Sequence, residues 1–417
     1  MLKLRPATVV ESDRPGPGTG RGRRVSARAG EQRLVVELTG ALGAGQRRQA
    51  VADTALVGTA EVGDEVIVNV QALDLGLGSG GFDIVHVNLT RGLSGEGEQG
   101  AHVMKLNYTS LQHAVLPVEE EELQVPVGRP VAVLALHGQL AAVAWAFAQA
   151  APGARLGFVQ TAGGALAGAH SQTVAALRRR GLLAGHLTAG PAFGGEGEAI
   201  TTAGALHHGL GTLGWHAAVC GPGPGIVGSG SPLGHGGMEA LDSAHVALAL
   251  GCPTLLVARI SSSDARSRHR GLSHHTLTVL DLLLEPVTVA LPAGMRSPVG
   301  EDLRASLGAV FKGPGQSPPA LEVARPVRIT RHDWRRAAVD LPGFASSGLP
   351  RETMGRGIAD DPLFFAGALA GGSALAELIA PASPDADADA DADADAETTR
   401  ESRGPSGLAD PLGAETG

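Results

Sequence analysis

The 417-residue chain is 43% hydrophobic, long enough for two or three domains and able to bury a core. Aromatics supply only 3% and glycine contributes 61 residues, so Ala, Val, Leu and Gly must build that core. The formal charge of −9 sits mostly in the tail: from Asp385 onward ten acids face only Arg400 and Arg403, so the body is nearly neutral and lacks the overall basic field of a nucleic-acid binder.

Residues 1–127 read as a small β-rich, barrel-like domain. Val9-Val10, Leu34–Leu38, Val66–Val70 and Ile84–Val87 are short β-branched runs punctuated by turns such as Gly63-Asp64. Asp13–Gly30 is a Gly/Pro/Arg-rich insertion expected at a hairpin tip, and Leu73–Phe82 is a second glycine loop. Glu119–Glu122 predicts a solvated edge.

From residue 128 to 380 the period changes. Strands are expected at Val131–Leu136, Leu156–Gln160, Leu183–Thr188, Ala217–Cys220, Thr254–Ile260 and Val287–Leu291. Helices are expected at Leu140–Ala150, Ala165–Arg180, Ala199–Leu213, Met238–Leu250 and His274–Leu284. This alternation predicts an α/β fold, a doubly wound, mostly parallel, Rossmann-like sheet. Val327–Thr330 is a further strand candidate. Leu363–Ile379, preceded by Asp361-Pro362, predicts a packing helix. Residues 381–417, with Asp-Ala repeated six times, have the composition of a disordered tail.

Val131–Ala154 is uncharged and long enough to span a bilayer, but His137-Gly138-Gln139 divides it into a strand, a turn and a helix. With no apolar stretch after Met1–Arg5, the expectation is a cytoplasmic protein with no membrane contact. Cys220 and Cys252 each adjoin an apolar run and read as small buried thiols.

Four loops, Thr161–Ala165, Thr188–Glu198, Gly221–Gly237 and Ser261–Ser273, follow predicted strands and should converge on the carboxyl edge of the sheet, where open α/β sheets bind ligands. Gly221, Gly223, Gly225, Gly228, Ser229 and Gly230 offer closely spaced amides beside a helix start, an anion cradle or simply a tight connection. The spacing is neither a GxGxxG fingerprint nor a P-loop, which disfavours NAD and P-loop ATP chemistry. Gly194, Gly195 and Glu196 form a parallel glycine loop.

Arg259, Arg266, Arg268 and Arg270, opposed only by Asp264, supply guanidinium forks for carboxylate or phosphate, against the plainer reading of a solvated basic loop. His274 and His275 should begin a helix capped by Ser273, whose N-terminus would keep them neutral. Adjacent helical residues diverge by about 100°, so both histidines are not expected on one ion. Glu196, Glu198, Asp264 and His235 could complete a metal site with one of them, yet no HExxH, CxxC or DxD spacing appears. Ser229, Ser231 and Ser261–Ser263 lack a GxSxG elbow. His207-His208 reads as structural.

The string GPGPGIVGSGSPLGHGGMEALDSAHVALALGCPTLLVARISSSDARSRHRGLSHHT, with TAGPAFGGEGEA and TMGRGIADDPLFF, resembles a bacterial family of unknown function, domain of unknown function 3866. The resemblance runs from near Met1 to about Ala380 and implies no activity. The residues themselves support an enzyme acting on a small phosphorylated or carboxylated metabolite. In that reading the Gly221–Gly230 amides and the arginines hold the anion, and His274 or His275, oriented by Asp264, is acid or base. The alternative is a non-catalytic metabolite-binding or regulatory protein using the same pocket; a scaffold is the third reading. The cofactor stays open, with a divalent metal one option. The oligomeric state stays open too, a homo-oligomer included.

Overall fold

Alternating burial in the first ninety residues closes them into a barrel. A computed structural model describes residues 1–13, 30–76, 81–293 and 331–379. The expected tip within 13–30, the centre of the Leu73–Phe82 loop, Val327–Thr330 and the acidic tail fall wholly or largely outside them. Strands β1 (Leu4–Ser12), β2 (Glu31–Leu38), β3 (Arg47–Asp53), β4 (Glu65–Asn69) and β5 (Asp83–Asn88) close in the order β1-β2-β3-β5-β4. Leu34, Val36 and Leu38 point inward from β2 with Val9, Val66, Val68 and Val85, following the period-2 geometry of a strand. β3 was not expected, because RRQA carries no apolar alternation. Two one-turn helices lie between these strands, α1 (Thr54–Val57) after β3, capped by Asp53, and α2 (Gln71–Asp74) after β4.

A hairpin of β6 (Val103–Lys105) and β7 (His113–Val115) leads into the linker. The acidic run there is a clamp as well as an edge. Glu119 accepts the amides of Ile200 and Thr201, and Glu121 pairs with His207 and His208. Both histidines thereby tie the acidic linker to the 202–210 segment.

The sheet is all-parallel and eight-stranded. Its members are β8 (Val131–Leu134), β9 (Leu156–Thr161), β10 (Gly185–Ala189), β11 (Gly197–Ala199), β12 (Ala217–Pro222), β13 (Thr254–Val257), β16 (Thr288–Pro292) and β17 (Asp333–Ala337). They run in the order β11-β10-β9-β12-β8-β13-β16-β17. Successive residues of β8 alternate between two cores, Val131, Val133 and Ala135 on one face and Ala132, Leu134 and Leu136 on the other.

Helices α3 (Leu140–Ala150) and α4 (Gln172–Arg179), with α8 (Leu341–Ser346) and α9 (Pro362–Glu377), cover the second face. Helices α5 (Thr202–Leu210), α6 (Glu239–Ala249) and α7 (His274–Leu282) cover the first. The sheet is thus doubly wound. The chain leaves β8 towards β9–β11 and returns through β12 to pass over β8 to β13, so its winding direction reverses around β12, β8 and β13. Met1–Ile379 form one compact unit. Among the described residues no helix is long and apolar enough to cross a membrane.

Glycine makes the core possible at one place above all. The Trp215 indole, fully buried, lies in a slot where Gly157 of β9, Gly185 of β10 and Gly209 of α5 present bare α-carbons. A Cβ on Gly157 would fall inside the ring. Gly157→Ala should therefore cost about 1–3 kcal/mol or more through overpacking. An unchanged urea midpoint would show that the indole is not held in this slot.

Candidate active site at the carboxyl edge

The loops after β8, β9, β12 and β13 interlock. Gly163, at φ +91°, packs against the Gly236 carbonyl, a contact and a backbone angle that leave no room for a side chain. The Ala165 amide donates to the Pro224 carbonyl at 2.5 Å, and Gln139 of the first loop donates to the Ala258 carbonyl at 3.1 Å.

The loop after β13 is folded back by its own pairing. β14 (Ile260–Ser261) and β15 (Gly271–Leu272) form an antiparallel pair, and the Ser273 amide donates to the Arg259 carbonyl at 2.9 Å. That closure sets Ser273, His274 and His275 beside Arg259. Ser273 caps α7 as expected, its Oγ accepting the His275 amide at 3.2 Å.

Three histidines converge here. Nitrogens of His269, His274 and His275 lie within 4.8 Å of one another. His235, arriving from the loop after β12, stacks on His275 with ring centroids 3.4 Å apart. The expected divergence of His274 and His275 does not occur. Their ring centroids are 4.4 Å apart, because side chains at the first turn of α7 can swing together against the folded-back loop. His269 is fully buried and His275 nearly so, whereas His274 is half-buried. Among the described residues Nε2 of His269 and Nε2 of His274 are buried without a hydrogen-bond partner.

Burial, more than the helix terminus, holds these rings neutral. It pushes the imidazoles of His269, His274 and His275 down to about 3, 4 and 2, helped by their neighbours and by Arg259. His235 is lowered by burial as well.

Asp264 has a different role from the one expected. Its carboxylate, 1% exposed, accepts from Arg259 at 3.2 Å, from Arg266 at 3.0 and 3.1 Å, and from Arg356 at 3.2 Å. Burial pushes this carboxyl up, but the Arg266 and Arg356 guanidiniums hold it well below the usual carboxylate range. Among the described residues no histidine hydrogen-bonds to it. His275 is hydrogen-bonded instead by Arg259, whose guanidinium donates to Nδ1 at 3.0 Å. Arg259 is itself buried, which lowers its pKa to about 10.

Arg270 donates to the Asp264 carbonyl at 2.9 Å, and Arg268 is exposed on the same loop. Arg356 also reaches Asp361, 3.6 Å away, and Asp361 accepts from Ser261 Oγ at 2.5 Å and from the Ser262 amide at 3.0 Å. Asp361 therefore does not cap α9 with its side chain. Ser261 and Ser262 are fixed by this carboxylate.

The glycine loop after β12 splits into parts. Gly221 lies within β12 against Leu134, and Gly223 is crossed closely by the Ala165 carbonyl, so both serve packing. The Gly225 position has φ +69° and open space around it. Gly228 bridges to His235 and so joins the histidine cluster, while Ser229 and Gly230 lie in an exposed turn where the Ser229 amide donates to the Gly234 carbonyl at 2.7 Å.

Gly194, Gly195 and Glu196 are elsewhere. Glu196 accepts from Arg178 at 2.7 Å; the Gly194 amide donates to Glu198 at 2.7 Å and the Gly195 amide to Thr188. Glu196 follows β10, four strand spacings or about 19 Å from β13, and Glu198 lies in β11, one strand farther, so both stand away from the histidines. Glu198 is instead committed to the buried ammonium of Lys105, 2.8 Å away.

Sequence reasoning missed several members of this edge. Arg356 and Asp361 come from the far end of the chain; their signal was the distinctive TMGRGIADDP segment. His137 follows β8, its Nδ1 donating to the Pro222 carbonyl at 3.0 Å and its Nε2 accepting from Ser171 at 2.7 Å. Ser171 Oγ also caps α4 through the Val174 amide at 3.0 Å. Cys220 and Cys252 are free, buried thiols, pushed by burial up to about 12 and 11.

A search of curated proteins returned no match. The family model for DUF3866, described as a protein of unknown function, matches residues 49–372, from within β3 to within α9 and including every loop of the carboxyl edge; β1 and β2 precede it. The chain belongs to the DUF3866 family, proteins of unknown function.

Proposed function

We propose that this edge binds a small phosphorylated or carboxylated metabolite and transforms it by acid–base chemistry, with His274 as the proton-transferring group. One observation carries the reading: His274 Nε2 is buried without a partner among the described residues, and burial first, then His235 and Arg268, Arg259 and Arg266, depress its pKa. A ring nitrogen held neutral in a cation-rich recess is satisfied by the proton and charge of an anionic ligand. Arg268, exposed and outside the Asp264 cluster, is the guanidinium available to fork onto that ligand. A bound anion also offsets the arginine field and raises the His274 pKa towards neutrality, where acid–base catalysis is most effective.

A second reading has its own support. A histidine near pKa 4 is a weak base in the free protein, and a pocket that only holds its metabolite needs no stronger one.

The experiment is a thermal-shift screen of phosphate- and carboxylate-bearing metabolites, followed by turnover assays on the hits. Arg268→Ala should weaken the best ligand by about 10-fold, the loss of one charge-assisted hydrogen bond. His274→Ala should keep affinity and lose about 10²–10⁴ in turnover. Undiminished turnover in His274→Ala overturns the assignment, and binding with no turnover by any variant leaves the second reading. A protein that no anion shifts refutes both.

A further inference from the structure

We infer that His269, His274 and His275 form a binding site for a borderline divalent metal ion of the zinc, cobalt or nickel class. Three observations support this independently of any substrate. The three ring nitrogens lie within 4.8 Å of one another, and closing them to the roughly 3.3 Å spacing of tetrahedral ligands with bonds of about 2.0–2.1 Å takes a modest contraction. Nε2 of fully buried His269 and Nε2 of His274 have no hydrogen-bond partner among the described residues, so neither atom is committed elsewhere.

The third observation is the hydrogen bond behind one ligand. His269 Nδ1 lies 2.8 Å from Ser273 Oγ, which also accepts the His275 amide. With Nδ1–H donating to that oxygen, the His269 tautomer carries its free lone pair on Nε2. This is the outer hydrogen bond that orients metal-binding histidines generally.

His275 adds a condition. Its Nδ1 accepts from Arg259, and a metal on either ring nitrogen breaks that contact. In the metal-free protein the guanidinium therefore stands where a cation's influence is wanted, and on metal binding it withdraws onto Asp264, its other partner. All-nitrogen ligation selects against magnesium and calcium, which prefer oxygen. The field of Arg259, Arg266 and Arg268 opposes a bare dication and favours one carrying an anionic fourth ligand. His274, the half-buried member, leaves that fourth position towards solvent.

The test uses the full-length chain stripped with chelator and titrated with Co(II), followed by its visible ligand-field bands, and with zinc by calorimetry. Wild type should bind one ion per chain and give the bands of a four-coordinate centre. Supporting hydrogen-bond partners alone are worth about 10–100-fold in affinity. His274→Ala and His269→Gln, which remove ligands, should lose at least that much. His207→Ala should bind as wild type. Should the buried His269 variant fail to fold, His274→Ala and the wild-type titration decide alone. No stoichiometric binding in wild type overturns the inference, and so does full affinity in His274→Ala. His274 Nε2 cannot hold a metal ion and exchange a substrate proton at once, so the metal-loaded protein is a different state from the one in which His274 acts as acid or base. Because the readout is metal and not turnover, a failed metabolite screen leaves this result standing.

Discussion

Asp264→Asn should lower the free energy of unfolding by about 3–5 kcal/mol, the usual cost of removing one partner of a buried ion pair. The substitution keeps shape and removes charge. Arg266, half-exposed, can turn to water, and Arg356 retains Asp361. Arg259 has no such exit: its side chain is 2% exposed, and its other side-chain hydrogen bonds among the described residues are to His275 and the Met354 sulfur. The cost is therefore that of a buried guanidinium without a counter-charge, and Arg259→Met in the same background should recover part of it.

The pH dependence of this term has a definite sign. The folded pKa of Asp264 is depressed, so its contribution is present above the unfolded carboxylate value and is lost only as pH falls through the folded one. Between pH 5 and 8 it should be constant. An unfolding free energy from urea titration at pH 7 that falls by less than about 1 kcal/mol would show that Asp264 is not what balances Arg259.

How far this site could be read from sequence depends on how local each interaction is. The strands β8, β9, β12 and β13 are buried on both faces and so appear as continuous apolar runs, and α3 begins and ends where expected. At the sheet edge that signal fails. β17, DWRRA, keeps polar residues outside, and β11 spans only three residues. Ala165–Ser171 looked helical by composition, but its backbone is spent crossing the β12 and β10 loops, and α4 starts only after Ser171.

At the site, the Ser273 cap and the density of cations after β13 follow from neighbours in sequence. The partners of those cations do not. Arg356 and Asp361 lie about a hundred residues beyond the loop they clamp, brought back by α9 packing on α3 and the sheet. The role given to Asp264 went wrong for the same reason. Counting charges within twelve residues suggested one acid free to orient a histidine, while three-dimensional packing supplied it with three arginines.

Acid should unfold the metal-free protein well before its carboxylates are titrated. His137, His269 and His275 are buried with folded pKa values depressed to about 4, 3 and 2, chiefly by burial, whereas in the unfolded chain each titrates near 6.5. Below about pH 6.5 the unfolded chain takes up protons that the native state refuses, so stability rises with pH across this window and falls on acidification. Each such histidine contributes up to about 1.4 kcal/mol per pH unit, and three together about 4. A domain with a total stability of about 5–15 kcal/mol cannot sustain that slope for long, and most of its stability should be gone by about pH 4.5. Urea unfolding at successive pH values in the presence of chelator measures the slope. His137→Gln should reduce it by one proton, because the glutamine does not titrate. Stability that stays flat from pH 7 to 5 would mean that the rings become protonated within the folded protein, and the neutral cluster on which both the anion site and the metal site depend would not exist.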